Sequence, residues 1–344
     1  MAPPARRAAG ALQPAFPPDQ PGVTVPPAGP GDLLRTATEG SAEDEWAQVE
    51  ACPLCGSETS LHRPFAAQPV GAQTLHYRVC VSCGLVFQSP RLTTWALERH
   101  YRREYRQRAH SRESDPRKDR WVQERRAEHL AAAVRRLHPV VRRHLDVGSS
   151  TGVLLAHFGR AFDSQGFGVE PGEADRSEVA GAGFKVVASI EQIPPQAEGS
   201  FDLVTLSHVL EHLPDPVGTL RELRARWLAG DGLLLVETPN LFSHPSFELA
   251  HLTAFSAATL RGALEVAGLE MVELHRHGKP YSRWLPLFLV AAARPALPSS
   301  SAQFARPRPS WIRMRRWMGL SLLRSARFAG RVLLRGHRLQ PWAE

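Results

Sequence analysis

Cysteine is scarce in this chain. Its 344 residues hold four, and all four lie in two short turns, Cys52-Pro-Leu-Cys55-Gly and Cys80-Val-Ser-Cys83-Gly. A disulfide-dense secreted scaffold is thereby excluded. Long apolar runs are missing as well. The run Trp284–Ala293 is too short to span a bilayer, and the N-terminus lacks an apolar core of signal-peptide length. No internal repeat is apparent. The G-x-G-x-x-G fingerprint that cradles a pyrophosphate is absent from the one glycine-bearing turn that follows a strand pattern. These absences direct attention to a cytoplasmic chain with reduced thiols.

What is present begins with His144-Leu-Asp-Val-Gly-Ser-Ser-Thr-Gly-Val-Leu-Leu155, followed by Gly166-Phe-Gly-Val-Glu-Pro171. The pattern predicts a buried strand, a tight turn, a helix and a second strand ending in an acid. Gly148 and Gly152 let the backbone turn sharply and leave room for a ligand. Glu170 falls at the carboxyl end of the second strand, where a carboxylate can accept both hydroxyls of a ribose. A nucleoside cofactor is expected. Downstream, Phe201–Ser207 and Gly232–Thr238 have the continuous hydrophobicity of strands buried on both faces. Asp215-Pro216 caps and starts a helix running to about Leu228, and another helix begins after Ser256 and closes at Gly268. Further strands are expected at 269–276 and 284–293. Strands alternating with helices over 144–295 make a doubly wound α/β sheet.

At these residues the chain resembles the class I S-adenosylmethionine (SAM)-dependent methyltransferases. Asp146, Gly148 and Gly152 fill three places of that family's acid-x-Gly-x-Gly-x-Gly motif, and Ser150 stands where the middle glycine usually is. The resemblance implies a seven-stranded Rossmann-like sheet whose last strand, 284–293, is antiparallel and inserted beside the fifth. It also implies that Asp146, Gly148, Ser150 and Gly152 hold the methionine end of SAM, that Glu170 holds the ribose, and that adenine packs near Ser189. The loop Ser207-His-Val-Leu-Glu-His-Leu-Pro-Asp-Pro216 would face cofactor and acceptor, making His208, Glu211 and His212 active-site candidates. Histidine titrates near neutrality and suits removal of an acceptor proton. His251 is a third candidate base. Against these roles stand quieter ones: His212 bracing the turn, His208 touching SAM without moving a proton, His251 bonded to backbone. Ubiquinone-type O-methyltransferases carry E-x-x-E-H here and can bind a divalent metal with it; His208 replaces the first acid. An Asn/Asp-Pro-Pro-aromatic motif for a flipped base is absent.

The two C-x-x-C-G turns, with 24 residues between them, point four thiolates at one tetrahedral centre. A closed structural zinc site on Cys52, Cys55, Cys80 and Cys83 is expected; two disulfides or two redox pairs are the alternatives. Residues 46–92 form this ribbon, 93–143 a helical connector, 144–295 the methyltransferase domain and 296–344 a basic extension. Residues 1–45, rich in proline and alanine, are expected to be disordered. The formal charge is +8 and the isoelectric point about 9.9. The excess is concentrated from 306 onward, where Arg313, Arg316, Arg324, Arg327, Arg331 and Arg335 share one helical face. Trp311, Met314, Met318, Leu322, Ala329 and Leu333 share another. Residues 306–336 therefore read as an element for an anionic membrane surface, or as a helix docked on its own domain or on a second subunit. The function expected is methyl transfer from SAM to a small-molecule or saccharide acceptor. Methylation of RNA or protein, or an inactive SAM fold serving as a zinc-binding interaction protein, are the alternatives. Nucleic acid is disfavoured because the basic residues are not interleaved with aromatics.

Overall fold

The computed structural model describes residues 45–71, 73–101, 116–245, 247–282, 284–296, 304 and 306–333, with side chains of the last helix described through 326. The expectation for 1–45 lies outside these residues, apart from Glu45. So do the side chains of Arg327, Ala329, Arg331, Leu333 and Arg335.

The N-terminal part is a small β-structure. Strand β1 (Trp46–Ala47) precedes the hairpin β2 (His62–Val70) and β3 (Gln73–Cys80), then β4 (Val86–Gln88) and β5 (Arg91–Leu92). β2, β3 and β4 pair antiparallel in sequence order, and β1 pairs with β5. Helix α1 (Thr94–Arg99) starts where the Thr93 hydroxyl accepts the Ala96 N–H at 3.3 Å.

Helix α2 (Pro116–Leu137) leads into the large sheet. There follow β6 (Arg143–Val147), α3 (Val153–Phe162), β7 (Gln165–Val169), α4 (Glu173–Gly181), β8 (Lys185–Val187) and β9 (Phe201–Ser207). The second half holds α5 (Pro216–Glu222), β10 (Leu228–Pro239), β11 (Thr253–Ala254), α6 (Ala257–Val266), β12 (Leu269–His277), β13 (Phe288–Pro295) and α7 (Pro309–Leu333). The large sheet has seven strands in the order β12-β13-β10-β9-β6-β7-β8. Pairing is parallel from β8 through β10, while β13 runs antiparallel to both β10 and β12. The doubly wound fold, with its last strand inserted beside the fifth, is thus as the sequence led us to expect. That strand begins at Phe288 and not at Trp284, whose side chain is 91% exposed.

Local chemistry fixes the ends of these elements. Asp202 accepts both the Arg142 and Arg143 N–H groups at 2.8 Å, seating the start of β6 beside β9. Asp215 caps α5 through the Gly218 N–H at 2.8 Å, with Pro216 in the first turn, and Ser256 and Thr259 form a reciprocal capping box on α6. Leu130, Ala131 and Val134 of α2 pack with Phe158 of α3 over Leu203, Leu235 and Val290 of the sheet. The connector helix therefore covers one sheet face. The strand order reverses between β6 and β9, so a crevice opens at their carboxyl ends.

The small sheet does not stop at residue 92. Its fourth strand is β11, which pairs antiparallel with β4, Thr253 opposite Phe87. Phe65, Tyr77 and Val79 of the small sheet share one core with Leu241, Phe247 and Ile312. The ribbon is built into the wall of the larger domain.

Candidate active site

From the end of β6 the chain turns at Gly148 (φ 75°), Ser150 (φ 46°) and Gly152 (φ 77°). Ser150 thus takes the left-handed conformation that a middle glycine would adopt freely, at a cost of about 1–2 kcal/mol. A Cβ on Gly148 would overlap the Val209 side chain, so glycine there lets the loop after β9 close onto the turn. Glu170 ends β7. Its Oε2 accepts the Ser150 N–H at 2.8 Å and its Oε1 the Gly172 N–H at 2.7 Å. Burial raises its pKa, and those two N–H groups partly offset the rise. Each carboxylate oxygen keeps a further lone pair for a ligand hydroxyl.

Asp146 lies beneath the turn, 2% exposed, accepting the Thr205 hydroxyl at 2.6 Å; that hydroxyl is also 2.8 Å from His144 Nε2. Burial pushes Asp146 up to about 7. The Asp146–Thr205 bond ties β6 to β9 inside the sheet. Ser189 follows β8 and opens a single 3-10 turn, Ile190–Gln192, closed by Gln192 accepting the Ala188 N–H at 3.0 Å.

Across the crevice, His208 also has a positive φ of 58°, its N–H donating to the Glu237 carbonyl at 2.8 Å. Its Nδ1 lies 3.4 Å from Glu211 Oε1. Its Nε2 is buried, makes no hydrogen bond among the described residues, and lies 3.7 Å from Glu237 Oε2. Glu211 accepts the Thr238 hydroxyl at 3.1 Å. Burial opposes its charge, but His208, with His212 and His251 nearby, outweighs burial and holds its carboxyl at about 2. Glu237 accepts the Ser207 hydroxyl at 2.7 Å and lies 3.2 Å from Arg126 Nε and 3.1 Å from His277 Nε2. Burial again opposes ionisation, and Arg126 and His277 overcome it, keeping this carboxyl well below the usual range. From Glu237 the titratable groups continue outward. The His277 ring is 4.3 Å from His129, His129 Nε2 is 3.3 Å from His275 Nε2, and His275 Nδ1 is 3.2 Å from Glu273, which Arg136 pairs at the surface.

His212 is held differently. Its Nδ1 is 2.9 Å from the Ala250 carbonyl, its ring is 4.7 Å from His251, and burial lowers its pKa to about 4. Its contacts brace the turn. His251, 8% exposed, reaches Glu248 at 3.8 Å. Glu211, His212 and His251 bring ligand atoms within 4.8 Å of one another, close enough to hold a cation. Glu211, however, is already shared between His208 and Thr238, an acid–base arrangement more than a chelate.

The loop that carries His251 is fixed by the ribbon. Gln88 Nε2 donates to the Glu248 carbonyl at 2.7 Å and to the His251 carbonyl at 2.9 Å, and the Tyr77 hydroxyl lies 3.2 Å from both. Tyr77 stacks on Phe247 with ring centroids 3.8 Å apart. At the ribbon's other end, Cys52 and Cys83 sulfurs are 3.6 Å apart and those of Cys55 and Cys80 3.7 Å. A tetrahedral zinc with Zn–S of about 2.3 Å has an edge of about 3.8 Å, so the four thiols fit that ion and are too far apart for disulfides. Gly56 (φ 69°) and Gly84 (φ 81°) supply the left-handed step of each knuckle.

The structure brings His208, Glu211, His212 and His251 together, beside the Gly148–Glu170 turn. Sequence reading passed over Arg126, Glu237 and His277 as functional residues. Arg126 lies on the connector helix, one arginine among many. A signal for His277 existed: His275-Arg-His277 alternates on a strand, placing both histidines on one face. Gln88 and Tyr77 gave none, because their partners are backbone carbonyls more than 150 residues away.

A family model described as a methyltransferase domain matches residues 121–274. The chain is similar to ubiquinone biosynthesis O-methyltransferase of Xanthomonas axonopodis pv. citri, 34% identical over 121 residues, which cover 33% of this chain and 49% of that one. The corresponding protein of Vibrio campbellii is 34% identical over 87 residues, 24% of this chain and 37% of that one. The matches thus span half or less of those relatives' lengths. Among solved structures, the Burkholderia thailandensis 1,6-didemethyltoxoflavin-N1-methyltransferase is 18% identical with a TM-score of 0.48, over 67% of this chain and 100% of that one. The left-handed turn after β6 and the half-used carboxylate of Glu170 fit SAM. Residues 121–274 thus match the methyltransferase-domain family, over a seven-stranded sheet whose last strand is inserted antiparallel beside the fifth.

Proposed function

We propose that this protein moves a methyl group from SAM to a hydroxyl of a small-molecule or glycosidic acceptor, with His208 as the base and a structural zinc on Cys52, Cys55, Cys80 and Cys83. The observation that carries the reading is His208 itself. Its Nδ1 sits against ionised Glu211, while its buried Nε2 has no hydrogen-bond partner among the described residues, at the switch point of the sheet. The O-methyltransferase names of the curated relatives support a hydroxyl acceptor.

When bound, SAM supplies an electrophilic methyl. Glu170 and the turn 148–152 would hold and orient it, with Asp146 at the end of β6 and Ser189 after β8 on the same side. The protein's remaining work is alignment of the acceptor and removal of its proton. As the acceptor oxygen takes the methyl and the methyl–sulfur bond breaks, leaving S-adenosylhomocysteine, the O–H proton would go to His208 Nε2. Glu211 and Glu237, both ionised, stabilise the imidazolium.

A positioned base contributes about 10²–10⁴-fold. The test uses methyl-labelled SAM and a panel of hydroxyl-bearing metabolites. His208→Asn keeps a residue tolerant of positive φ and should lower transfer at least about 10²-fold with SAM affinity unchanged. Undiminished transfer by this variant would remove His208 as base. Label appearing on RNA or protein instead would remove the small-molecule reading.

A further inference from the structure

Helix α7 seats one face, carrying Ile312, Arg316, Gly319 and Leu323, against the protein. Arg316 is 8% exposed, donates to the Leu241 carbonyl and at 3.1 Å to the His244 carbonyl, and lies 4.0 Å from the Phe247 ring centroid. Arg313 donates to the Pro64 and Phe65 carbonyls of the ribbon. Ile312 and Leu323 are buried beside them, and a Cβ on Gly319 would collide with the Phe242 carbonyl oxygen. This seating settles where the sequence left the helix open: α7 rests on its own chain.

A second, apolar stripe is left in solvent. Trp311, Met314, Met318 and Leu322 recur at steps of 3, 4 and 4, one stripe on a helix, and are 48–66% exposed. The stripe is about 16 Å long at 1.5 Å per residue. Trp317, 67% exposed, stands beside it. Next to α7, Leu320 and Leu323 touch Leu285 and Leu287 of the segment before β13, which exposes Trp284 at 91% and Tyr281 at 58%.

Charge identifies the occupant. Residues 306–344 contain ten arginines and one acid, Glu344, with no acid anywhere in α7. A second copy seated here by two-fold symmetry would set this arginine-rich surface against itself, a like-charge juxtaposition. The occupant must be apolar at its centre and anionic at its rim. No helix among the described residues is long and apolar enough to cross a membrane, so the contact lies on the surface. We propose that the Trp311–Met314–Met318–Leu322 stripe docks on an anionic lipid bilayer, with the stripe in the headgroup boundary and the flanking arginines, Arg315 and Arg324 among them, on lipid phosphates.

The test is co-sedimentation of the full chain with vesicles of phosphatidylcholine alone or with one-third phosphatidylglycerol, at low and at 0.5 M salt. Binding should be at least about tenfold stronger to the anionic vesicles and fall with salt. Met318→Asp, on the exposed side, should lose at least about tenfold in vesicle binding with an unchanged melting temperature, since Ile312, Arg316 and Gly319 keep α7 seated. Equal binding to both vesicle types, no binding to either, or vesicle binding unaffected by Met318→Asp overturns the proposal. So does a lipid-free dimer or a complex with an acidic protein that Met318→Asp dissolves. This reading is independent of methyl transfer and fails separately from it.

Discussion

Replacing Gln88 by alanine removes a ribbon side chain that is fully buried and holds the His251 loop by its backbone. The amide has two N–H groups to share among the Glu248 and His251 carbonyls and the Tyr77 oxygen, while the Tyr77 hydroxyl brings one more proton. Without Gln88, the Tyr77 hydroxyl can serve the His251 carbonyl and the His251 N–H still serves Glu248, so hydrogen bonds are lost but no carbonyl is orphaned. That costs about 0.5–1.5 kcal/mol. At about 1 kcal/mol the ratio of seated to displaced loop falls roughly 5-fold. Hydrogen exchange reads this directly. The His251 N–H, bonded to Glu248, and the amides of the Thr253–Phe87 pairing should lose protection by about that factor. Amides of β6 and β7 should be unchanged, and so should SAM affinity. Unaltered protection over 248–254 with a lowered melting temperature would show that the ribbon does not position this loop. Equal loss throughout the large sheet would refute a local effect.

Ser150→Gly relieves a left-handed serine but adds freedom to the unfolded chain, for a net gain of about 0.5–1 kcal/mol. A rise of about 2 °C in melting temperature is expected, and a fall would contradict the strain. Burial lowers His129, His212 and His244 to about 4 and His144 to about 3. Between pH 6.5 and 4 the unfolded chain therefore binds protons at these sites that the folded chain refuses. Each site lost costs stability on acidification by up to about 1.4 kcal/mol per pH unit. Asp146, raised to about 7, acts oppositely, its contribution falling as pH rises from about 4 to 7. Four histidines outweigh one carboxyl, so the melting temperature should drop from pH 7 to pH 5; a flat or rising profile would overturn the assignment of neutral buried histidines. Elemental analysis of protein purified under reducing conditions should find one zinc per chain, and stripping it should expose the 248–254 amides as Gln88→Ala does. Absence of metal, or protection unchanged by stripping, would sink the structural role.

What the sequence disclosed was local. The Asp146–Gly152 turn, the acid at 170 and the alternating strands and helices are written in contiguous residues, and the structure assembles them at one switch point. The two C-x-x-C-G turns are local as well, and their sulfurs converge. The direction of β13 came from resemblance, since a buried apolar strand reads the same both ways. Long-range polar contacts were hidden. Gln88 holds a loop 160 residues on, and Arg126 reads as one arginine among many until α2 turns it onto Glu237. For α7 the two faces were legible and their orientation was not. Arg313 and Arg316 find backbone carbonyls at Pro64, Phe65, Leu241 and His244, partners that no periodicity announces.

Titration calorimetry with SAM and with S-adenosylhomocysteine tests the central claim most directly. The wild-type chain should bind one molecule of either per chain. Glu170→Ala should weaken both by about 10- to 100-fold, the range of one or two hydrogen bonds to a charged group. Folded wild-type protein that binds neither, or that binds both with Glu170→Ala indistinguishable from it, would contradict a SAM site at the turn between β6 and α3.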